Sequence, residues 1–180
     1  MKPLTPDQHR DSLIRRRIKF VVEKGAMARL FRAGSSSGLQ EDLFACLQPS
    51  EIAKIHTKDQ YDTWLIRVVE RDTWESFSRN GIDEDRWGYF AKLVNIIIYE
   101  IISNRELFDE KDWLLLRPFL HVPLDWKVTY HLNQITDTIP LLAILKGMSK
   151  EKYLGIQRSI RELAEQYDVP PIWFEGAYSA

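Results

Sequence analysis

Along most of the chain, apolar residues recur at the three- and four-residue spacing of amphipathic helices, and the alternation of a half-buried strand is scarce. Thr5-Pro6-Asp7 sets a capping residue before a proline at the first helical position, and predicts a long helix running toward Arg32. Ala33-Gly34-Ser35-Ser36-Ser37-Gly38 predicts a loop. Short helices are expected near 40–47 and, capped by Ser50, near 51–55, then a longer one over 58–79 that Asn80-Gly81 stops. Asp83 is placed to cap a helix over about 84–103, and a short helix follows over 109–117. After a loop holding Pro118 and Pro123, Leu124 or Asp125 opens a helix to about 136. Lys146-Gly147-Met148-Ser149 predicts a turn, Ser149 caps a last helix to Tyr167, and the tail from Asp168, with Pro170-Pro171, is expected to be extended. The pattern predicts an all-α fold, a compact bundle of eight or nine helices in a single domain over 1–180. It shows no internal repeat and no low-complexity segment.

Two positions stand out against this pattern. From Arg86 the chain reads RWGYFAKLVNIIIYEII, a helix apolar nearly all round and therefore expected to be buried. Lys92, Asn95 and Tyr99 fall on one face of it at 100° per residue. That face is either the solvated side, with Lys92 reaching along the core rim, or the wall of a site. A lysine pressed against apolar neighbours has its charged form disfavoured, which makes a better nucleophile. The second position is Asp125 in Val122-Pro123-Leu124-Asp125. An N-cap role explains it fully. A carboxylate at a helix N-terminus is also held ionised by the helix dipole, which suits a group that stabilises developing positive charge. The two readings are compatible.

Composition narrows the chemistry. An apolar content of 44% over 180 residues is ordinary for a folded protein. The formal charge of −1 excludes a generally cationic binder but hides a basic N-terminal stretch that includes Arg10, Arg15, Arg16, Arg17, Lys19, Lys24, Arg29 and Arg32. Such a face can supply phosphate contacts. Cys46 is the only cysteine, which excludes an internal disulfide, a cysteine-ligated cluster and a multi-cysteine zinc site. His9, His56, His121 and His131 show no metal-ligand spacing, so no metal or other cofactor is expected. The apolar run at 96–102 carries Glu100 and is too short to span a bilayer, and the N-terminus lacks the apolar core of a signal peptide; a cytoplasmic protein is expected.

Gly88-x-x-x-Lys92 on a buried helix, followed by Val122-Pro123-Leu124-Asp125 opening another, resembles the helix-hairpin-helix DNA glycosylase superfamily. The spacing between Lys92 and Asp125 is similar to that of the archaeal 8-oxoguanine glycosylase branch, and the Lys92-x-x-Asn95 helix with Leu120-His121-Val122-Pro123-Leu124-Asp125 looks like related bacterial anti-phage glycosylases that excise hypermodified bases such as glucosylated hydroxymethylcytosine. The resemblance covers mainly 70–135. It implies two helical subgroups around a cleft, a nucleophilic Lys92, a catalytic carboxylate at Asp125, and double-stranded DNA with a flipped base as partner. It further implies that Asp168 and Trp173 line the base pocket. The second hairpin glycine is Phe90 here, and the aromatic expected one turn after the lysine is Ile96, which points away from 8-oxoguanine and toward other modified bases.

Lesser candidates surround the pair. Trp126 either walls the pocket or staples the helix start, Asn95 shares the face of Lys92, and His121 either orients Asp125 or bonds loop backbone. Gly88, the helix start at Lys150, and Arg15 and Arg16 are candidate DNA-backbone contacts, although three consecutive arginines on a helix cannot all face one way. Trp87 and Trp113 are expected in the core. The chain is expected to act as a monomer away from membranes. The rival reading is a non-catalytic helical module that binds nucleic acid or a protein partner, with Lys92 at the surface and Asp125 simply a cap.

Overall fold

The computed structural model describes residues 3–24, 31, 34–71, 87–142, 145 and 148–175. These form eight α-helices: α1 (Pro6–Lys24), α2 (Ser36–Cys46), α3 (Pro49–Ile52), α4 (Lys58–Val69), α5 (Trp87–Ile102), α6 (Glu110–Leu116), α7 (Trp126–Asn133) and α8 (Lys150–Gln166). Two 3-10 turns, Arg117–Phe119 and Pro171–Glu175, complete the regular structure, and the described residues include no strand. The all-α expectation holds. The stop at Asn80-Gly81, the cap at Asp83 and the turn residues Lys146-Gly147 lie outside the described residues.

Local chemistry accounts for most helix starts. Thr5 and Gln8 form a reciprocal capping box at α1, with Gln8 N donating to Thr5 Oγ1 at 3.3 Å and Thr5 N donating to Gln8 Oε1 at 3.0 Å. Thr57, Asp109, Asp125 and Ser149 each accept a backbone amide of the helix they open.

Three expectations are corrected. Ser36-Ser37-Gly38 is the first turn of α2 rather than loop, because seating Leu39 and Leu43 in the core requires a helical turn ahead of them, and burial overrides weak local propensity. The second short helix starts at Pro49, with Gln48 and not Ser50 at its cap, since proline suits the first helical position. The tail is not extended beyond Pro170. Pro171 starts a 3-10 turn that buries Ile172 and Phe174.

α5 is the centre of the packing and touches α1, α4, α6 and α8. Eleven of its sixteen residues are buried, as expected for a helix apolar nearly all round. The half-buried remainder is a stripe of Tyr89, Lys92, Ile96, Tyr99 and Glu100. Asn95 leaves the expected stripe and turns into the core. One contiguous cluster of buried side chains runs from Ile14 to Phe174. Trp87 is buried within it and Trp113 packs edge-on against Tyr99. No described helix is long and apolar enough to cross a membrane.

Candidate active site

Lys92 leaves α5 from the middle of its half-buried stripe, and Asp125 stands at the mouth of α7. Their side chains meet: Lys92 Nζ donates to Asp125 Oδ2 at 3.0 Å. The lysine side chain is 15% exposed and the carboxylate 36%, so the pair is enclosed but open to solvent on the aspartate side. Asp125 also caps α7, its Oδ1 accepting the Val128 amide at 3.0 Å. Burial pushes its proton affinity up, but the Val128 amide and the Lys92 ammonium outweigh that and hold the carboxyl below the usual range. The cap and the ion pair thus use different oxygens of one group.

Trp126 follows Asp125 directly and is 54% exposed, with the exposed Tyr130 ring one turn further along α7 at 6.4 Å. Two exposed rings therefore stand on the helix that Asp125 opens. A residue not anticipated from the sequence acts on the pair through its charge. Glu175, the last residue of the second 3-10 turn, is half-buried and sits in the field of Lys92, Asp125 and Glu100. Burial pushes its proton affinity up, Lys92 opposes this, and the two carboxylates add to the rise. Its separation from Lys92 in the chain and its place in a segment read as extended left no signal to find it.

The strap Leu120–Asp125 is held from behind. Gln157 of α8 clamps Val122 on both sides, accepting its amide at 3.0 Å and donating to its carbonyl at 2.7 Å. His121 is buried and its Nε2 lies 2.7 Å from Asp62 Oδ1 and 2.9 Å from Arg161 Nη2. Arg161 reaches Asp62 through two nitrogens, at 2.8 and 2.7 Å, and also the Phe119 carbonyl at 3.2 Å. His121 therefore bonds neither Asp125 nor loop backbone. It anchors the strap from the core.

The remaining candidates are placed elsewhere. Asn95 is buried between Tyr61 and Tyr153, accepting from the first hydroxyl and donating to the second at 3.2 Å. Lys150 pairs with Glu70 at 2.7 Å. Arg15 pairs with Glu41 and lies 3.7 Å over the Phe44 ring, and Arg16 is exposed. Asp168 is exposed and adopts a left-handed φ of 53° just past α8, where Val169 N bonds back to Ala164 O at 3.1 Å. It ends a helix in the position glycine usually takes. Trp173 is exposed and faces the Arg117 guanidinium at 5.8 Å. Among the described residues, no hydrogen bond, ion pair or ring contact joins it or Asp168 to the Lys92–Asp125 pair. Among the described residues no group of three or more His, Cys, Asp or Glu side chains is arranged to hold a metal ion.

Gly88 is buried as well. Its amide donates to Met148 O at 3.2 Å, so it is not presented to a phosphate. A Cβ there would overlap Met148 Cγ and lie 2.7 Å from its Cβ. Gly88→Ala should therefore destabilise the fold by about 1–3 kcal/mol through overpacking. Thermal unfolding should show the melting temperature lowered by roughly 2–12 °C, and an unchanged melt would mean that α5 and the start of α8 are not in this contact.

Protonation of the core cluster sets a second expectation. Burial pushes the His121 imidazole below its ordinary range, and the Arg161 charge adds to this against the pull of Asp62. Burial would raise Asp62, but the His121 and Arg161 bonds overcome it and hold the carboxyl well below the usual range. Both groups bind protons more weakly folded than unfolded, so each contributes stability above its unfolded value that is lost on acidification. The histidine contribution should fade as pH falls below about 6.5 and that of Asp62 below about 3.9. Melting temperature measured against pH should fall through the first range, and His121→Gln should flatten that step; an identical acid limb in the variant would place the titration elsewhere.

No protein-family model matches the chain, and no curated protein or solved structure shows significant similarity to it.

Proposed function

We propose that the chain is a DNA N-glycosylase of helix-hairpin-helix type, with Lys92 and Asp125 as its reacting pair. The observation that carries this reading is their 3.0 Å contact, made by a lysine from the central apolar helix and a carboxylate from a helix mouth far along the chain. A lysine on the outer surface and an aspartate serving only as a cap need not meet.

The chemistry follows from the two groups. The anomeric carbon of a stacked nucleotide is out of reach, so the target must be flipped from the duplex. As the bond from C1′ to the base nitrogen lengthens, its electron pair leaves with the base and positive charge grows on the sugar. Asp125, kept ionised by the Val128 amide and Lys92, is suited to stabilise that charge. Lys92, once deprotonated, can attack C1′ and form a Schiff base that leads on to strand cleavage. Trp126 and Tyr130, on the helix that Asp125 opens, offer exposed rings on which a base can stack. The substrate is a modified or damaged base, in repair or in defence against phages with modified DNA such as glucosylated hydroxymethylcytosine, and the protein works as a cytoplasmic monomer without a cofactor. Duplexes carrying a panel of modified bases, incubated with the protein and then with borohydride, test the reading. Base release and a covalent adduct are expected, and no release from any duplex would leave the binding module as the better account.

A further inference from the structure

Asn95 is the only carboxamide among the eleven buried residues of α5, and it is 1% exposed. Leucine would serve stability alone at such a position, because a buried amide costs free energy unless its bonds are made. Here they are made. Asn95 Nδ2 donates to the Ala91 carbonyl of its own helix at 2.7 Å and to the Tyr153 hydroxyl of α8 at 3.2 Å, and its Oδ1 accepts from the Tyr61 hydroxyl of α4. The first bond locks the amide onto the turn of α5 that carries Lys92. The other two reach the rings that hold the strap. Tyr61 and Tyr153 are fully buried and both lie against the His121 ring, the first edge-on with centroids 5.2 Å apart and the second tilted at 5.6 Å. Every strap residue from Leu120 to Leu124 is buried. Gln157, one turn after Tyr153 on α8, clamps Val122, and the strap ends at Asp125, which bonds Lys92. These contacts form a circuit from α5 through two tyrosines to the strap, and from Asp125 back to α5.

Resting on the glycosylase reading above, we propose that Asn95 is a positioning residue for the reacting pair: through the two tyrosines that flank His121, it sets the helix carrying Lys92 against the strap carrying Asp125. A fully bonded buried polar network specifies one arrangement of the elements it joins, whereas apolar cores accept repacking and lose uniqueness before stability. Arg161 and Gln157 bind the strap to α8, and His121 binds it to Asp62 of α4. The Asn95 bonds add α5 to that framework. Without them α5 still buries its apolar faces, but directional bonds no longer fix it against the strap. A misplacement of about 1 Å at a reacting centre costs about 10²-fold in rate.

The test has one readout that needs no DNA and one that does. The Val128 amide and Lys92 hold the Asp125 carboxyl below its usual range, so its titration, followed by NMR of the carboxyl carbon, reports whether Lys92 stays beside it. In Asn95→Leu that titration should move up toward the ordinary range. Borohydride trapping on a duplex with one abasic site should slow about 10²-fold at saturating duplex, with KM nearly unchanged. A folded Asn95→Leu whose Asp125 titration superimposes on the wild type overturns the proposal, however far its melting temperature has dropped. Trapping at the wild-type rate overturns it too. Should the leucine variant fail to fold, judged by its thermal melt, Tyr61→Phe combined with Tyr153→Phe decides. The rings then remain against His121 while the hydroxyl bonds are lost, so the same upward movement is expected and its absence is equally fatal. A wild type that neither releases a base nor traps on the abasic duplex removes the glycosylase reading, and the Asp125 titration still decides whether Asn95 places the pair.

Discussion

Asp125→Asn should lower base release by about 10²–10³-fold, the usual effect of deleting one preorganised electrostatic group from a reacting centre, while lowering the melting temperature only through the lost charge facing Lys92. The reason lies in the two separate duties of this side chain. Asparagine is as good an N-cap as aspartate, so the bond to the Val128 amide survives and α7 keeps its start. Only the negative charge facing Lys92 is lost. Asp125→Ala removes both duties and should add about 1 kcal/mol of instability from the missing cap. Lys92→Ala separates the chemistry further. It should abolish the borohydride adduct, and if release continues in that variant while stopping in Asp125→Asn, water rather than lysine attacks the sugar. Undiminished release by Asp125→Asn, measured on duplexes that the wild type cleaves, would take Asp125 out of the site.

What could be read from the chain alone follows a physical division. The helices were legible because their starts are local chemistry, a Thr, Asp or Ser bonding an amide three residues on, and because α5 declares its burial by composition. The Lys92–Asp125 pair was legible as a question, from a lysine set in an apolar helix and an aspartate at a helix mouth. Positions were lost wherever a side chain's role depends on what packs against it from elsewhere in the chain. Asn95 shares the sequence spacing of Lys92 but not its surroundings, because Tyr61 and Tyr153 draw it into the core. Gly88 carries a motif position, yet Met148 occupies the space above it. Asp168 is where a pocket acid was expected, and instead accepts a left-handed backbone that closes α8. Glu175 comes into the field of the pair on a proline-led turn that folds back onto α7.

The largest loss of stability is expected from Arg161→Met. The methionine fills the space of the arginine stem but leaves the Asp62 carboxylate and the Phe119 carbonyl without their shared donor. Removing one partner of a buried ion pair costs about 3–5 kcal/mol. The Arg161 side chain is 11% exposed, but Asp62 is 27% exposed and regains some water, so the lower end, about 3 kcal/mol, is the better expectation. For a chain of this size that corresponds to a fall of roughly 6–12 °C in melting temperature. Asp62→Ala added to Arg161→Met should cost less than the sum of the two, because the second change removes the carboxylate that the first had stranded. The same substitution reaches the site through the strap. Arg161 and Gln157 are the two α8 side chains that hold the segment leading to Asp125, so Arg161→Met should also reduce adduct formation at a temperature where the variant remains folded. Gln157→Leu breaks the other hold and should reduce it again. Activity unchanged in both folded variants would mean that α7 and the Lys92 contact alone hold Asp125 in place, and that the buried cluster serves stability only.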